Sequence, residues 1–330
     1  MKIGIRVPPC APVNQVAAFA RDLEAVGFDA AWFPDSQLLW RDPYLAILAS
    51  QEMTSRLRLG TAVTNVETRH VTVVASLLRT VAEVAPGRVR VGIGVGASSV
   101  VPIGLTKTTN DRLRRGIHAL RALLAGDQWL ADSGRMVKMT DPPGPVEILL
   151  AATGPKRLAL AGEVADGVIL HCGTSPRAVS EALKHVERGA ALAGRSLDDV
   201  KVIVSGVCHA GSQSETDVFA PIYMTMLQDG GASALRAAGL PAPAIDPAGR
   251  DFKHATDWRQ AVAEAGETID EDSVARFADE FCFAGAPEQI LGRFRQLESL
   301  GVQEVLCQGL ASFDLPHDLL SALSSTSTGS

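Results

Sequence analysis

Short apolar runs of strand length alternate along the chain with stretches whose apolar positions recur every three to four residues. The runs fall at 2–7, 30–34, 57–63, 89–95, 146–150, 167–170, 200–208 and 303–307; the helical periodicities fall near 12–26, 43–54, 70–85, 108–125, 155–165, 176–193, 287–300 and 314–324. Eight β-α units predict an α/β fold of the (β/α)8 TIM-barrel class. Local chemistry agrees at the joins. Asp42-Pro43 is a helix start, because Asp can accept from the orphan amides while Pro fills the first turn without losing a bond. Gly27 after Val26 suits a helix end.

Two stretches break the alternation. Residues 126–144 are rich in Gly, Pro and Asp and predict a hairpin or loop before strand five. The larger, about 210–280, follows strand seven. It carries helical patterns at Glu215–Asp229, Ala232–Ala238, Asp257–Ala265 and Asp272–Asp279, joined by the Pro- and Gly-rich run Leu240–Gly249, and predicts a helical insertion over the barrel mouth. Residues 1–323 then form a single barrel domain, and the low-complexity Ser324–Ser330 a disordered tail.

Composition narrows the function classes. No apolar run approaches the ~20 residues of a membrane helix, and the opening Lys2-Ile3-Gly4-Ile5-Arg6-Val7 reads as a strand rather than a secretory signal, which predicts a cytoplasmic protein. Five cysteines without a C-x-x-C pair read as reduced thiols and suggest no metal site. A net charge of −6 argues against nucleic acid, which demands clustered basic residues, and points to a small-molecule substrate.

Barrels of this kind build their sites from loops at the C-terminal strand ends. Those positions hold Asp35 and Ser36, Thr64 and Asn65, Gly94 and Gly96, Thr153 and Gly154, His171, Cys172 and Gly173, His209, and Gln308. Gly92, Gly94 and Gly96 fall two apart, on one face of an extended strand, which a flat ring could approach; glycines there also mark crowding or a bulge. The same residues match the loose fingerprint G-x-G-x-x-[GA], but Ser98–Lys107 reads as a loop where a dinucleotide fold needs a helix, so that reading is rejected. Gly154-Pro155-Lys156 and Gly173-Thr174-Ser175-Pro176 each start a helix, offering amides to an anion or serving only as caps. No lysine on strand six and no H-x-H after strand one exclude Schiff-base and two-metal chemistry.

These motifs together resemble the luciferase-like monooxygenase superfamily, and within it the branch using coenzyme F420 that includes methylenetetrahydromethanopterin reductase. The carrying residues are Trp32-Phe33-Pro34-Asp35-Ser36-Gln37, Leu59-Gly60-Thr61-Ala62-Val63-Thr64-Asn65 with Thr68-Arg69-His70, the Gly92–Gly96 run, and Ala151–Lys156 through Leu160–Val168. The resemblance covers roughly 1–210 and 277–310. It implies a non-proline cis peptide at Ala62-Val63, a bulge behind a bent deazaflavin ring. It further implies that Asp35 and Ser36 touch the polar edge of the ring and that Ala62, Val63, Thr64, Asn65, Gly94, Val95, Gly96, Thr153 and Gly154 line it. Pro155, Lys156, Gly173 and Thr174 would lie toward the phosphate.

Substrate-pocket candidates are Trp40, Cys10, His171 and His209; candidate catalytic groups are Asp35, His70 and Arg6. Departures matter too. Ser36 and Ala97 stand where sugar-phosphate dehydrogenases of the branch place His and an acid, and Arg6 where methanopterin reductases place an acid, which disfavours both substrates. The resemblance therefore implies hydride transfer between reduced F420 and a C=C, C=N or C=O carbon of a small organic substrate. An FMN-dependent monooxygenase is the alternative, and a non-catalytic flavin- or ligand-binding relative a further one. A homodimer formed through the apolar faces of helices two and three completes the expectation.

Overall fold

The computed structural model describes residues 1–212, 217–246 and 249–324. Eight parallel strands close a barrel: β1 (Lys2–Arg6), β2 (Ala30–Phe33), β3 (Arg58–Thr64), β4 (Val89–Ile93), β7 (Glu147–Ala152), β8 (Gly167–Leu170), β9 (Lys201–Ala210) and β11 (Glu304–Gln308). β11 returns to pair with β1. Between β4 and β7, the short strands β5 (Trp129–Leu130) and β6 (Met136–Val137) form an antiparallel hairpin within the stretch 126–144. Successive side chains alternate sides, so Ile5, Ala31, Leu59 and Val91 pack outward against the helices while Ala30, Trp32, Leu149, Ile169, Ile203 and Leu306 fill the interior.

The helix layer comprises α1 (Val13–Ala25), α2 (Pro43–Met53), α3 (Val71–Val84), α4 (Ala97–Val100), α5 (Asn110–Ala125), α6 (Pro155–Val164) and α7 (Pro176–Leu192), and later α12 (Pro287–Glu298) and α13 (His317–Ser324). Caps explain several starts: Asp42 accepts from the Tyr44 and Leu45 amides, and Ser175 from that of Ala178. Leu45, Met53, Val73 and Val84 leave apolar surface exposed on α2 and α3. Among the described residues no helix is long and apolar enough to cross a membrane.

The insertion after the seventh barrel strand, β9, carries α8 (Ala220–Gln228), α9 (Ala232–Ala237), α10 (Trp258–Gly266) and α11 (Glu271–Phe281). It has its own core, in which the Tyr223 and Phe277 rings meet at 4.7 Å. β10 (Phe283–Gly285) ties it to the barrel by pairing with the upper end of β9. The first insertion helix starts at Ala220 rather than near Glu215, which lies outside the described residues, as do Pro247 and Ala248 in the Leu240–Gly249 run. The tail after Ser324 lies outside them as well.

One reading of the sequence is corrected. Ser98–Lys107 is not all loop: Gly96 takes φ +73° and turns the chain from β4 into α4, followed by a short 3-10 turn at Val101–Ile103. Four residues are too few to display a 3.6-residue period, so the pattern missed them.

Toward the N-terminal end of the barrel the interior is ionic. Arg90 forks onto Glu304 at 2.7 and 3.0 Å, Glu304 accepts the Trp32 indole N–H at 2.8 Å, and the Arg90 guanidinium lies 4.1 Å from the centre of the Trp32 rings. Gly4 and Gly60 make room for this group: a Cβ at either would stand under 3 Å from Trp32. Removing one partner of such a buried pair strands the other charge and costs about 3–5 kcal/mol. Glu304→Gln should therefore lower unfolding free energy in urea by about that amount, and a loss below about 1 kcal/mol would show that the pair does not anchor the barrel.

Candidate active site

The opposite end of the barrel is shaped by a defect in the β3–β4 ladder. Pairing passes from Thr61↔Val91 to Thr64↔Ile93, one residue more on β3 than on β4. The Ala62–Val63 peptide in this bulge is cis, as the resemblance implies. Val63 thereby turns its side chain over the glycines of β4. A Cβ on Gly94 would lie 2.5 Å from Val63 Cγ2, and one on Gly92 2.4 Å from the Thr61 carbonyl oxygen and 3.4 Å from Val63 Cγ1. The glycine face is thus not bare backbone offered to a ring. It is filled by Val63 at Gly94 and by the Thr61 carbonyl and Ile169 at Gly92, and the surface offered at the barrel axis is Ala62 and Val63, half-buried, with Ala151 beside them.

The polar residues around the bulge divide into those that hold it and those that face the opening. Asp35, buried after β2, accepts from the Thr64 hydroxyl at 2.7 Å and from Arg69 at 3.0 and 3.3 Å; Arg69 also reaches Asp42 at 2.7 Å and stacks on Tyr44. Burial works against the Arg69 charge, but the two carboxylates outweigh it and raise its pKa. With both its oxygens engaged as acceptors, Asp35 ties the loops after β2 and β3 together. Asn65 is likewise an anchor: it donates to Ser99 Oγ at 3.0 Å and accepts from the Glu67 and Thr68 amides. Ser36 shares a 2.6 Å hydrogen bond with Ser98 at the rim. Val95 accepts the Thr108 amide, and a Cβ on Gly96 would strike Asn65.

Three further candidates lie elsewhere than predicted. His70 is exposed, caps α3 by accepting from the Thr72 amide, and its ring sits 6.4 Å from that of Trp129 on the hairpin. The amides of Thr174 and Ser175 both donate to the Glu280 carbonyl, and the Thr174 hydroxyl to that of Cys282, so the Gly173-Thr174 turn docks the end of α11 instead of offering amides to an anion. His209 stacks edge-on against Phe219 and lines a separate cavity of about 520 Å³ with Ser212, Cys282 and Arg293, because β9 runs past the barrel rim before this residue. By contrast, Thr153, Pro155 and Lys156 are exposed at the start of α6, and the space beside Gly154 is open.

Arg6, Trp40 and His171 form the wall opposite. The Arg6 guanidinium lies 5.0 Å from the centre of the Trp40 rings, and Trp40 Nε1 donates to the Ser312 carbonyl at 2.8 Å. Cys10, half-buried, feels the charges of Asp314 and Arg41, and burial raises its thiol pKa. The insertion adds what sequence reasoning missed. Lys253, paired to Asp229 at 2.6 Å, and His254, whose ring is 6.5 Å from Trp40, belong to a segment with no periodicity or motif, so only the topology brings them to the mouth.

His171 is exposed to water at the end of β8, with the charges of Lys253, Asp229 and Arg6 acting on it. Desolvation lowers its pKa, Lys253 and Arg6 push the same way, and Asp229 opposes them. A histidine depressed in this manner favours folding fully above the unfolded value of 6.5 and loses that contribution as pH falls toward the lowered folded value. NMR titration of the His171 ring should give a midpoint below 6.5, moving up in Lys253→Gln; a midpoint above 6.5 would contradict this electrostatic picture.

The model of the luciferase-like monooxygenase family matches residues 1–304. The 5,10-methylenetetrahydromethanopterin reductase of Methanolobus tindarius is 29% identical over 315 residues, covering 93% of each chain. Among solved structures, the coenzyme F420-dependent tetrahydromethanopterin reductase of Methanopyrus kandleri superposes with a TM-score of 0.77 at 20% identity, covering 98% of this chain and 99% of that one. An F420-dependent secondary alcohol dehydrogenase in complex with an F420-acetone adduct gives 0.72 at 17% identity, covering 98% and 97%. With a family model spanning nearly all of the barrel, the chain belongs to the luciferase-like monooxygenase family.

Proposed function

We propose that this protein is an F420-dependent oxidoreductase acting as a reductase, transferring a hydride from reduced F420 to an electrophilic carbon of a small organic substrate. The observation that carries the reading is the β3 bulge at Ala62 and Val63, packed on Gly94 and presenting a compact apolar surface at the barrel axis. The residues present fit such a group: a flat ring has an apolar backing in Ala62, Val63 and Ala151, and open space beside Gly154 leads to the exposed Lys156 for an anionic tail. The F420 named for the two structural neighbours supports the same cofactor.

When bound, reduced F420 supplies the hydride. The chain's own residues do the rest. Ala62 and Val63 fix the ring from behind, and the Asp35–Arg69–Asp42 network holds the β2 and β3 loops in place around it. Trp40 and the insertion segment near Lys253 wall the substrate side from water. His171, whose pKa is lowered by desolvation and by Lys253 and Arg6, can accept a hydrogen bond from the substrate or relay a proton through its ring nitrogens.

Fluorescence titrations of the purified protein with F420 and FMN side by side test the reading. F420 should bind at least tenfold tighter than FMN, and stopped-flow mixing of the reduced F420 complex with C=C, C=N and C=O acceptors should regenerate oxidised F420 with at least one class. Preferred binding of FMN, with substrate-dependent oxygen uptake, would replace the proposal with a flavin monooxygenase. Tight cofactor binding without turnover of any acceptor class would make the protein a binding relative.

A further inference from the structure

Arg6 is the last residue of β1 and lies in register beside Trp32, so its side chain follows the inward set while its neighbour Ile5 packs outward. The aromatic face of Trp40 meets the guanidinium plane. Such a cation–π contact occupies the face of the guanidinium and leaves its five N–H donors directed away from the ring, available to a ligand. Among the described residues no carboxylate pairs with Arg6, and burial, with no acid to offset it, draws its pKa down to about 10.

Of the acids around the mouth, Asp35 and Asp42 hold Arg69, Asp229 holds Lys253 and Asp251 holds His254, while Asp314 acts on the Cys10 thiol and, among the described residues, forms no ion pair with Arg6. The neighbouring His171 has a lowered pKa and offers no negative charge in either form. In a chain of net charge −6, one guanidinium is therefore presented to the substrate side without a protein counter-ion among the described residues. A half-buried, unpaired charge is costly unless a ligand completes it.

We propose that the substrate carries a carboxylate that pairs with the Arg6 fork beside the Trp40 ring; this names a substrate class for the hydride-transfer site and rests on that reading. Two parallel N–H donors match the two oxygens of a carboxylate, and one positive charge balances a monoanion. A phosphate dianion would keep an uncompensated charge, because Lys253 is already neutralised by Asp229. The Trp40 face offers the apolar wall for the carbon skeleton attached to the carboxylate.

Ligand-observed NMR titrations of the full chain with benzoate, butyrate and crotonate, each against its amide and with phenyl phosphate in parallel, test the assignment. At least one carboxylate should bind tenfold or more tightly than its amide. That preference should shrink below twofold in Arg6→Gln and partly return in Arg6→Lys, with the thermal transition and the F420 affinity of both variants retained. Equal binding of carboxylate and amide in every pair, a preference that survives Arg6→Gln, or phenyl phosphate binding more tightly than benzoate would overturn it. A carboxylate preference that depends on Arg6 in a protein that binds no F420 supports the anion site while overturning the hydride-transfer reading, so the two fail separately.

Discussion

The architecture of the mouth depends on a steric exchange between two neighbouring strands. β3 carries one residue too many for β4; the side chain of Val63 occupies the volume that a side chain on Gly94 would take, and the Thr61 carbonyl and Ile169 occupy the volume beside Gly92. Close packing leaves no third arrangement: with bulkier residues on β4 the bulge has nowhere to go, and without the bulge the glycines leave a void. Everything near it is arranged to keep β3 in this register. Thr64 donates to Asp35, Asp35 holds Arg69, Arg69 reaches Asp42, and Asp42 in turn caps α2.

The barrel is polarised along its axis. The lower interior is sealed by the Arg90–Glu304–Trp32 group, whose charges satisfy each other. The upper interior has Arg6, whose charge meets only an aromatic face. Both arginines lie inward on barrel strands, and what separates them is the presence of Glu304 within reach of one and of no acid within reach of the other among the described residues. That contrast distinguishes a structural charge from one reserved for a ligand.

The barrel was legible because alternation and helical periodicity report directly on which face is buried, and because Asp42-Pro43 and Gly27 mark helix ends by local chemistry alone. The glycine run at 92–96 was seen as well, but its use was not. A glycine signals that something comes close, and the sequence does not say whether that neighbour is a ring or, as here, Val63. Asp35, Thr174 and His209 were picked as polar residues at strand ends, and each meets a partner outside its own strand-end motif: Arg69, Cys282 and Phe219. Lys253 and Asp229 went unseen for the converse reason. They sit in an insertion without motif, and reach the mouth only because β10 pairs with β9 and fixes the insertion over it.

Val63 and Gly94 together shape the proposed F420 seat, and a double-mutant cycle on F420 affinity with wild type, Gly94→Ala, Val63→Ala and the pair measures their coupling. Gly94→Ala alone should weaken binding at least tenfold, since its Cβ would stand 2.5 Å from Val63 Cγ2 and displace that side chain. In the Val63→Ala background the same change should cost little, a coupling of about 1 kcal/mol or more. Equal losses in both backgrounds, or no loss with Gly94→Ala, would contradict the account.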